Sequence, residues 1–226
     1  MYRNSKHVIT LSGSEIRGRA EKHFWKMSGF SKENPPSSYQ LEEIQDISDK
    51  AEQTMQVKLL IKRENQLQIL EKGMWLCEKW IEYNIPLHLY EDQIQGLYTF
   101  LITLDNVQKE ENSLLEQLYL QIWQNAYLDA AREWLKDWIG QQERCFVSQC
   151  VAPGFYGIPL QEISTLYDLI GGRQLGVKMS GDYCLYPEKS FIGMYFLMKK
   201  DLYIFGKRCS RCPAQGKNCA YCMDKL

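Results

Sequence analysis

The prediction of the fold starts from the turn-forming segment Ala152-Pro153-Gly154-Phe155-Tyr156-Gly157-Ile158-Pro159-Leu160. Its Pro153-Gly154 pair predicts a tight turn, because proline fixes its own φ and glycine tolerates a positive φ. The backbone amides of such a turn can face an anion or a cofactor edge, although composition alone favours a purely structural turn. Pro159 is typical of the first turn of a helix, which predicts a helix over 160–170 that Gly171-Gly172 ends.

Hydrophobic periodicity predicts the elements around this turn. Apolar residues at helical spacing predict helices near 40–55, over 67–81 and over 110–139, with Gly140 ending the last of these. Strand-like composition predicts strands over 57–61, 85–90 and 97–104, and three short strands near 175–179, 190–198 and 202–205. Because helices and strands do not alternate regularly, the pattern favours an α+β fold over a doubly wound one.

The sequence divides into three segments. Residues 1–40 are polar and end in Asn34-Pro35-Pro36, which predicts an N-terminal arm or irregular packing segment. Residues 41–206 carry the predicted helices and strands of the α+β domain. Residues 207–226 form a cysteine-rich tail.

Composition excludes several classes of protein. The chain has 226 residues, 45% of them hydrophobic, and a net charge of −1, so nothing global suggests nucleic acid or an anionic membrane as a partner. No apolar run approaches the ~20 residues of a membrane-spanning helix, and no secretory signal is visible at the N-terminus. We therefore expect a cytoplasmic protein whose eight cysteines are mostly reduced.

The tail carries four of these cysteines, Cys209, Cys212, Cys219 and Cys222. Two C-x-x-C pairs let four sulfurs converge on one centre, and four thiolates suit either tetrahedral zinc or an iron–sulfur cluster. The spacing does not choose between them. Zinc predicts a structural clip, and an iron–sulfur cluster predicts electron transfer.

The segment from Cys150 to Phe196 resembles the activation domain of cobalamin-dependent methionine synthase. The resemblance covers about residues 114–206, and the first hundred residues match poorly. It is carried by the turn at 152–160, the helix 160–170, and the segments Leu175-Gly176-Val177-Lys178-Met179 and Tyr186-Pro187-Glu188-Lys189-Ser190-Phe191-Ile192-Gly193-Met194-Tyr195-Phe196. The resemblance implies a bent antiparallel sheet with flanking helices.

The same resemblance implies where cofactors bind. The family domain binds S-adenosylmethionine and lies over a corrinoid held by a neighbouring domain, and its site maps here to Cys150, Gly154, Phe155, Tyr156 and Phe191. By their residue types alone, Lys189 and Ser190 after Pro187 are candidates to contact a phosphate or a corrin side chain. Cys150 replaces an arginine of the family pattern, and Phe155 and Phe191 replace tyrosines. The missing guanidinium argues against S-adenosylmethionine as a ligand. The corrinoid-docking surface can persist without it.

These observations predict an accessory protein that docks on a corrinoid-binding protein or methyltransferase and supports reductive activation of its cobalt. The sequence lacks the Asp-x-His-x-x-Gly signature of corrinoid-binding domains, so the corrinoid is expected on the partner chain. Any catalysis would be reductive activation or remethylation of that partner. Two alternatives stay open: a non-catalytic binding module with a structural zinc knuckle, and an S-adenosylmethionine-binding remethylation factor.

Overall fold

The computed structural model describes residues 6–104, 113–155 and 157–202. The helices are α1 (Gly13–Met27), α2 (Ser38–Thr54), α3 (Leu114–Glu143) and α4 (Glu162–Ile170). The strands are β1 (Lys6–Ser12), β2 (Gln56–Glu64), β3 (Leu67–Leu70), β4 (Gly73–Leu76), β5 (Lys79–Glu82), β6 (Ile94–Leu104), β7 (Phe146–Val147), β8 (Lys178–Met179), β9 (Leu185–Tyr186) and β10 (Ser190–Met198). Short 3₁₀ helices span Leu87–Gln93 and Gly172–Leu175.

A five-stranded antiparallel sheet in the order β1-β2-β6-β10-β7 forms the centre of the fold. The longest pairing joins β6 to β10, with Ser190 opposite Thr103 and Phe196 opposite Leu97. A bulge follows at Leu197, where the register shifts. Since bulges bend a strand and increase its twist, the sheet curves at this end.

The inner strands of this sheet pack on two different cores, one on each face. Successive residues of a strand point to opposite sides, so each inner strand contributes side chains to both cores. In β6, Phe100 and Ile102 face a core shared with α1, α2 and α3. Leu97 and Leu101 of the same strand face a second core, which is closed by α4 and the small sheet β3-β4-β5. The result is an antiparallel sheet flanked by helices, which confirms the predicted α+β fold class.

Three of the four helices begin with a capping box. Ser113 begins α3: its hydroxyl accepts the Glu116 amide hydrogen at 3.2 Å, and the Glu116 carboxylate accepts the Ser113 amide hydrogen at 2.6 Å. Ser37 and Gln40 repeat this arrangement at α2, and at α1 the Glu15 carboxylate accepts the Ser12 amide hydrogen at 2.7 Å. Each box satisfies backbone donors that a helix start leaves without partners.

The predicted irregular segment over 1–40 is wrong for the described part of that range. Residues Lys6–Ser12 form edge strand β1 and pair antiparallel with β2 from Lys62 to Gln56. In α1, the buried residues Ile16, Ala20 and Phe24 repeat every fourth position, and Phe24 stacks on Trp123 with ring centroids 4.3 Å apart. The segment is therefore a part of the main core.

Three other predicted elements are also corrected. The predicted helix over 67–81 is instead the β3-β4-β5 meander, and the predicted strand over 85–90 overlaps the 3₁₀ helix Leu87–Gln93. Helix α3 runs through Gly140 and ends at Arg144, which adopts the left-handed conformation. The predicted strand near 202–205 lies almost entirely outside the described residues. Among the described residues, no helix combines the length and the apolar character needed to cross a membrane.

Candidate functional site

The turn at 152–158 closes on itself through its own backbone. The Gly154 amide donates to the Ile158 carbonyl at 2.9 Å, and the Phe155 amide donates to the Ala152 carbonyl at 3.0 Å. Gly154 has φ of +83°, a conformation that favours glycine. Because these two amides are used inside the turn, they do not provide the anion-binding backbone that the sequence suggested. Tyr156 lies outside the described residues.

The turn presents Phe155 to solvent beside Phe191. Phe155 is 44% exposed, and its ring meets the Phe191 ring edge to face, with centroids 6.3 Å apart. Phe191 stacks in turn on Phe100 at 6.0 Å, and Phe100 stacks on Tyr195 at 5.0 Å. A continuous aromatic series therefore leads from an exposed ring on the turn to the buried centre of the sheet.

Arg132 of α3 adds a positive charge that the sequence analysis did not assign to the site. Its guanidinium carbon lies 5.3 Å from the centroid of the Phe191 ring, and its Nη2 is 2.8 Å from Asp129 Oδ1. The Arg132 and Asp129 side chains are 24% and 11% exposed. Asp129 is thus a nearly buried carboxylate, and desolvation raises its pKa above the usual value. We call Asp129, Arg132, Phe155 and Phe191 the arginine–aromatic site.

Helical spacing explains why Arg132 reaches this place. Positions 125, 129 and 132 share one face of α3, since residues three and four apart are neighbours on a helix. This polar strip runs beside the start of β10, where Lys189 donates to Asn125 Oδ1 at 2.8 Å. The sequence analysis missed this strip, and the signal that could have indicated it is an acidic residue, Asp129, between the apolar positions Ala126 and Ala130 of the predicted helix.

Lys189 and Ser190, both predicted to bind a cofactor, have partners within the protein. Burial lowers the pKa of Lys189, whose ammonium contacts Asn125. The Ser190 hydroxyl donates to the Pro187 carbonyl at 2.6 Å and lies 2.8 Å from the Thr103 hydroxyl. Both side chains fix the start of β10, and the Lys189 charge lies on the same side of α3 as Arg132.

Cys150 stands where the family pattern has an arginine. Desolvation raises the pKa of its thiol to about 12, although the nearby positive charge of Arg132 opposes the shift. The Tyr195 hydroxyl lies beside this thiol and donates to the Arg132 carbonyl at 2.9 Å. Cys150 therefore behaves as a neutral packing residue, and a guanidinium from α3 lies close to it.

The predicted metal ligands Cys209, Cys212, Cys219 and Cys222 lie outside the described residues. Within 6–104, 113–155 and 157–202, no group of three histidine, cysteine or acidic side chains is arranged to hold a metal ion. The four cysteines in those ranges, Cys77, Cys145, Cys150 and Cys184, are unpaired thiols.

A second buried polar cluster lies under the β4–β5 turn. The carboxylate of Glu64 is fully buried, accepts a hydrogen bond from the Cys77 thiol at 3.0 Å and pairs with the Lys62 ammonium at 2.6 Å. Cys77 and Glu78 both have positive φ, which is unusual for residues with side chains. The cluster is best understood as an anchor that holds this turn against β2.

Comparison with known proteins shows which solved structure has a similar fold. The sequence matches no protein-family model and no curated protein. Among solved structures, the chain is similar to the crystal structure of the MetH reactivation domain bound to AdoHcy. The TM-score is 0.60 at 12% identity, over 91% of this chain and 82% of that chain. The chain therefore has the fold of the MetH reactivation domain.

Proposed function

We propose that this protein docks on a corrinoid-carrying protein of a methyltransferase system and supports reductive activation of its cobalt. The observation that carries the proposal is the fold, which is shared over 91% of the chain with a reactivation domain. The resemblance of the 152–160 turn and of β10 to the methionine synthase activation domain supports the same proposal.

The exposed surface around the turn is suited to docking. Phe155 is 44% exposed and Leu160 is 50% exposed, and Leu160 lies next to Gly154. Exposed apolar groups that adjoin one another are typical of interaction sites. In this proposal the face of the corrin packs on these apolar groups, and the corrinoid supplies the redox chemistry while this chain positions it.

The cysteine tail supplies either an electron carrier or a structural clip. An iron–sulfur cluster at Cys209, Cys212, Cys219 and Cys222 would deliver electrons to cobalt beside the docking surface. Zinc at the same cysteines would stabilise the tail only, and electrons would come from another protein. Both versions keep the docking surface at the turn.

The test is a reduction assay without oxygen. The probe is the cob(II)alamin-loaded corrinoid domain of a cobalamin-dependent methionine synthase, mixed with a one-electron reductant, and the rate of cob(I)alamin formation is followed by visible absorbance. We expect the wild-type chain to increase this rate, and Phe155→Asp to reduce the increase about tenfold by placing a charge on the docking surface. The matched control is Val8→Asp, at a 58% exposed position on edge strand β1. An unchanged rate with the wild-type chain contradicts the proposal.

One observation favours a second candidate function, remethylation with S-adenosylmethionine as the donor. Cys150 lacks a guanidinium, but Arg132 supplies one over Phe191 at 5.3 Å. Guanidinium groups bind carboxylates in a two-pronged manner, and the donor carries an amino-acid carboxylate. Calorimetry should then show donor binding that Phe191→Ala abolishes, whereas absence of donor binding to the wild-type chain eliminates this candidate.

A further inference from the structure

The outer face of the β3-β4-β5 meander carries large apolar side chains that the fold does not bury. Ile69, Met74 and Ile81 point inward to the second core, so the residues that alternate with them point to solvent. These outward positions include one large apolar residue from each strand, namely Leu70 (40% exposed), Trp75 (44% exposed) and Trp80 (36% exposed). A sheet with one face in water ordinarily alternates apolar and polar residues, so apolar groups on the water face indicate an interaction surface.

The strand pairing holds the two tryptophans in place. Trp75 and Trp80 lie directly opposite each other on β4 and β5, and their ring centroids are 5.4 Å apart at an interplanar angle of 60°. The Trp80 ring lies against Gly73, where an added Cβ would come within 2.3 Å of Trp80 Cζ2. Glycine at this position therefore lets the ring lie on the sheet. Cross-strand aromatic pairs stabilise a hairpin, and side chains that are fixed in advance lose less entropy when a partner binds.

Beside Trp75 the surface forms an open depression of about 510 Å³ that offers the contacts an arginine side chain makes. The depression is lined by Gln66, Leu67, Gln68, Trp75, Cys77 and Glu78. A planar guanidinium can stack on the Trp75 ring, and the Glu78 carboxylate and the glutamine amide oxygens can accept its N–H groups. A lysine ammonium has neither the planar shape nor the fork of donors, so the depression favours arginine.

The charges around this face favour a basic partner. Residues 66–82 contain three exposed glutamates and two exposed lysines, Glu71, Glu78, Glu82, Lys72 and Lys79. The Lys79 ammonium lies 3.4 Å from the Asp168 carboxylate of α4, so its charge is offset within the chain. The outer face of the meander is therefore net negative, and it attracts a positively charged surface.

We propose that the outer face of the meander docks an arginine-bearing segment of a partner protein. One guanidinium of the partner lies in the depression between Trp75 and Glu78, and apolar groups of the partner pack on Leu70 and Trp80. An open face with one aromatic wall suits a side chain presented by a protein better than a free organic cation, which several rings typically enclose. The face does not include Phe155, so this inference is independent of docking on a corrinoid protein.

The test measures the binding of short fluorescein-labelled peptides to the full chain by fluorescence anisotropy. The peptides alternate glycine with arginine, with lysine or with glutamate. We expect the arginine peptide to bind more tightly than the lysine peptide, and the glutamate peptide not to bind. Trp75→Ala should weaken binding of the arginine peptide about tenfold, as the loss of an aromatic anchor does. Leu118→Ala, at a 54% exposed position on α3, is the matched control and should bind as the wild-type chain does.

Glu78→Gln is the second variant, because it leaves the Trp75–Trp80 contact intact and removes only a charge. It should weaken binding of the arginine peptide about threefold and make binding less sensitive to salt. The proposal is wrong if the arginine peptide does not bind, if it binds no better than the glutamate peptide, or if both variants bind it as the wild-type chain does.

Two further results would overturn the proposal by identifying another occupant. Sedimentation could show that the full chain is a dimer that Trp75→Ala dissociates, and a second copy would then cover the face. Tetramethylammonium could bind while the arginine peptide does not, and the site would then take a free organic cation. The reduction assay with Phe155→Asp decides docking at the turn separately from each of these results.

Discussion

The guanidinium carbon of Arg132 lies 5.3 Å from the centroid of the Phe191 ring and thereby joins the middle of α3 to the start of β10. The same side chain pairs with Asp129, and the Arg132 carbonyl accepts a hydrogen bond from Tyr195. One helical residue therefore contacts three groups at the candidate site, and its replacement should affect both ligand binding and stability.

The Arg132–Phe191 contact can be measured with a double-mutant cycle. Arg132→Met and Phe191→Leu each remove one partner, and the coupling free energy should be about 0.5–1 kcal/mol, because the pair is only partly desolvated. Urea unfolding of the wild-type chain, both single variants and the double variant gives this value. If the two substitutions change the free energy of unfolding additively, the Arg132 and Phe191 side chains have no interaction energy despite their contact.

The Cys77 thiol should react slowly with alkylating reagents. Burial, followed by the hydrogen bond to Glu64, raises its pKa to about 11, so at pH 8 only about one thiol in a thousand is ionised. Glu64→Gln removes the carboxylate charge and should increase the labelling rate at Cys77. Peptide mapping by mass spectrometry after timed iodoacetamide treatment measures each cysteine separately. Labelling of Cys77 as fast as that of exposed Cys184 would contradict the buried contact.

Stability should fall in alkaline solution, in part through Cys150. Burial raises the pKa of its thiol to about 12 in the folded chain, against 9.0 for an ordinary thiol. Below pH 9 the thiol is protonated in both states, and above pH 9 the unfolded chain gains charge first. Each such group then lowers the free energy of unfolding by up to about 1.4 kcal/mol per pH unit.

Cys150→Ala should therefore reduce the loss of stability between pH 9 and pH 10, measured by urea unfolding. Cys184→Ala provides the matched control, because it removes an exposed thiol. Equal slopes for Cys150→Ala and the wild-type chain would mean that the Cys150 thiol is not desolvated as the structure indicates.

The tail cysteines should bind metal. Protein purified without oxygen is expected to contain either zinc at about one per chain or iron with acid-labile sulfide at about four per chain. A brown protein would indicate an iron–sulfur cluster, and a colourless protein that contains zinc would indicate a structural zinc site. Replacing Cys209, Cys212, Cys219 and Cys222 by serine should remove the metal and leave the thermal transition of the α+β domain in place. Metal-free wild-type protein would refute the prediction.

Some elements could be read from the sequence because local pattern and tertiary burial agree. Helices α2 and α4 lie where periodicity predicted them, and strands β2, β6 and β10 lie where strand-like composition predicted them. Gly171 ends α4 with φ of +73°. The stretch 67–81 misled because Leu67, Leu70, Met74, Cys77 and Ile81 have helical spacing. In the structure, short turns at 71–72 and 77–78 separate three strands, and the inward-facing position of each strand starts anew after the turn. Ile69, Met74 and Ile81, one from each strand, all face the second core.

The candidate site was only partly visible in the sequence. The turn and β10 were predicted, and they meet through the contact between Phe155 and Phe191. Arg132 was not predicted, because it lies more than fifty residues before Phe191 and approaches it only after α3 packs on the sheet. The strand and helix over 6–27 were missed because both elements are largely exposed. Polar residues on the edge strand and on the outer face of α1 outnumber the apolar residues that face the core.

Docking on a corrinoid protein can be measured by a visible-absorption titration without oxygen. The cob(II)alamin-loaded corrinoid domain of a cobalamin-dependent methionine synthase is titrated with this chain, with Phe155→Asp and with Val8→Asp. We expect a saturable change in the corrinoid spectrum with the wild-type chain and with Val8→Asp, and a change shifted to about tenfold higher concentration with Phe155→Asp. A spectrum that stays the same at every concentration of the wild-type chain would contradict docking.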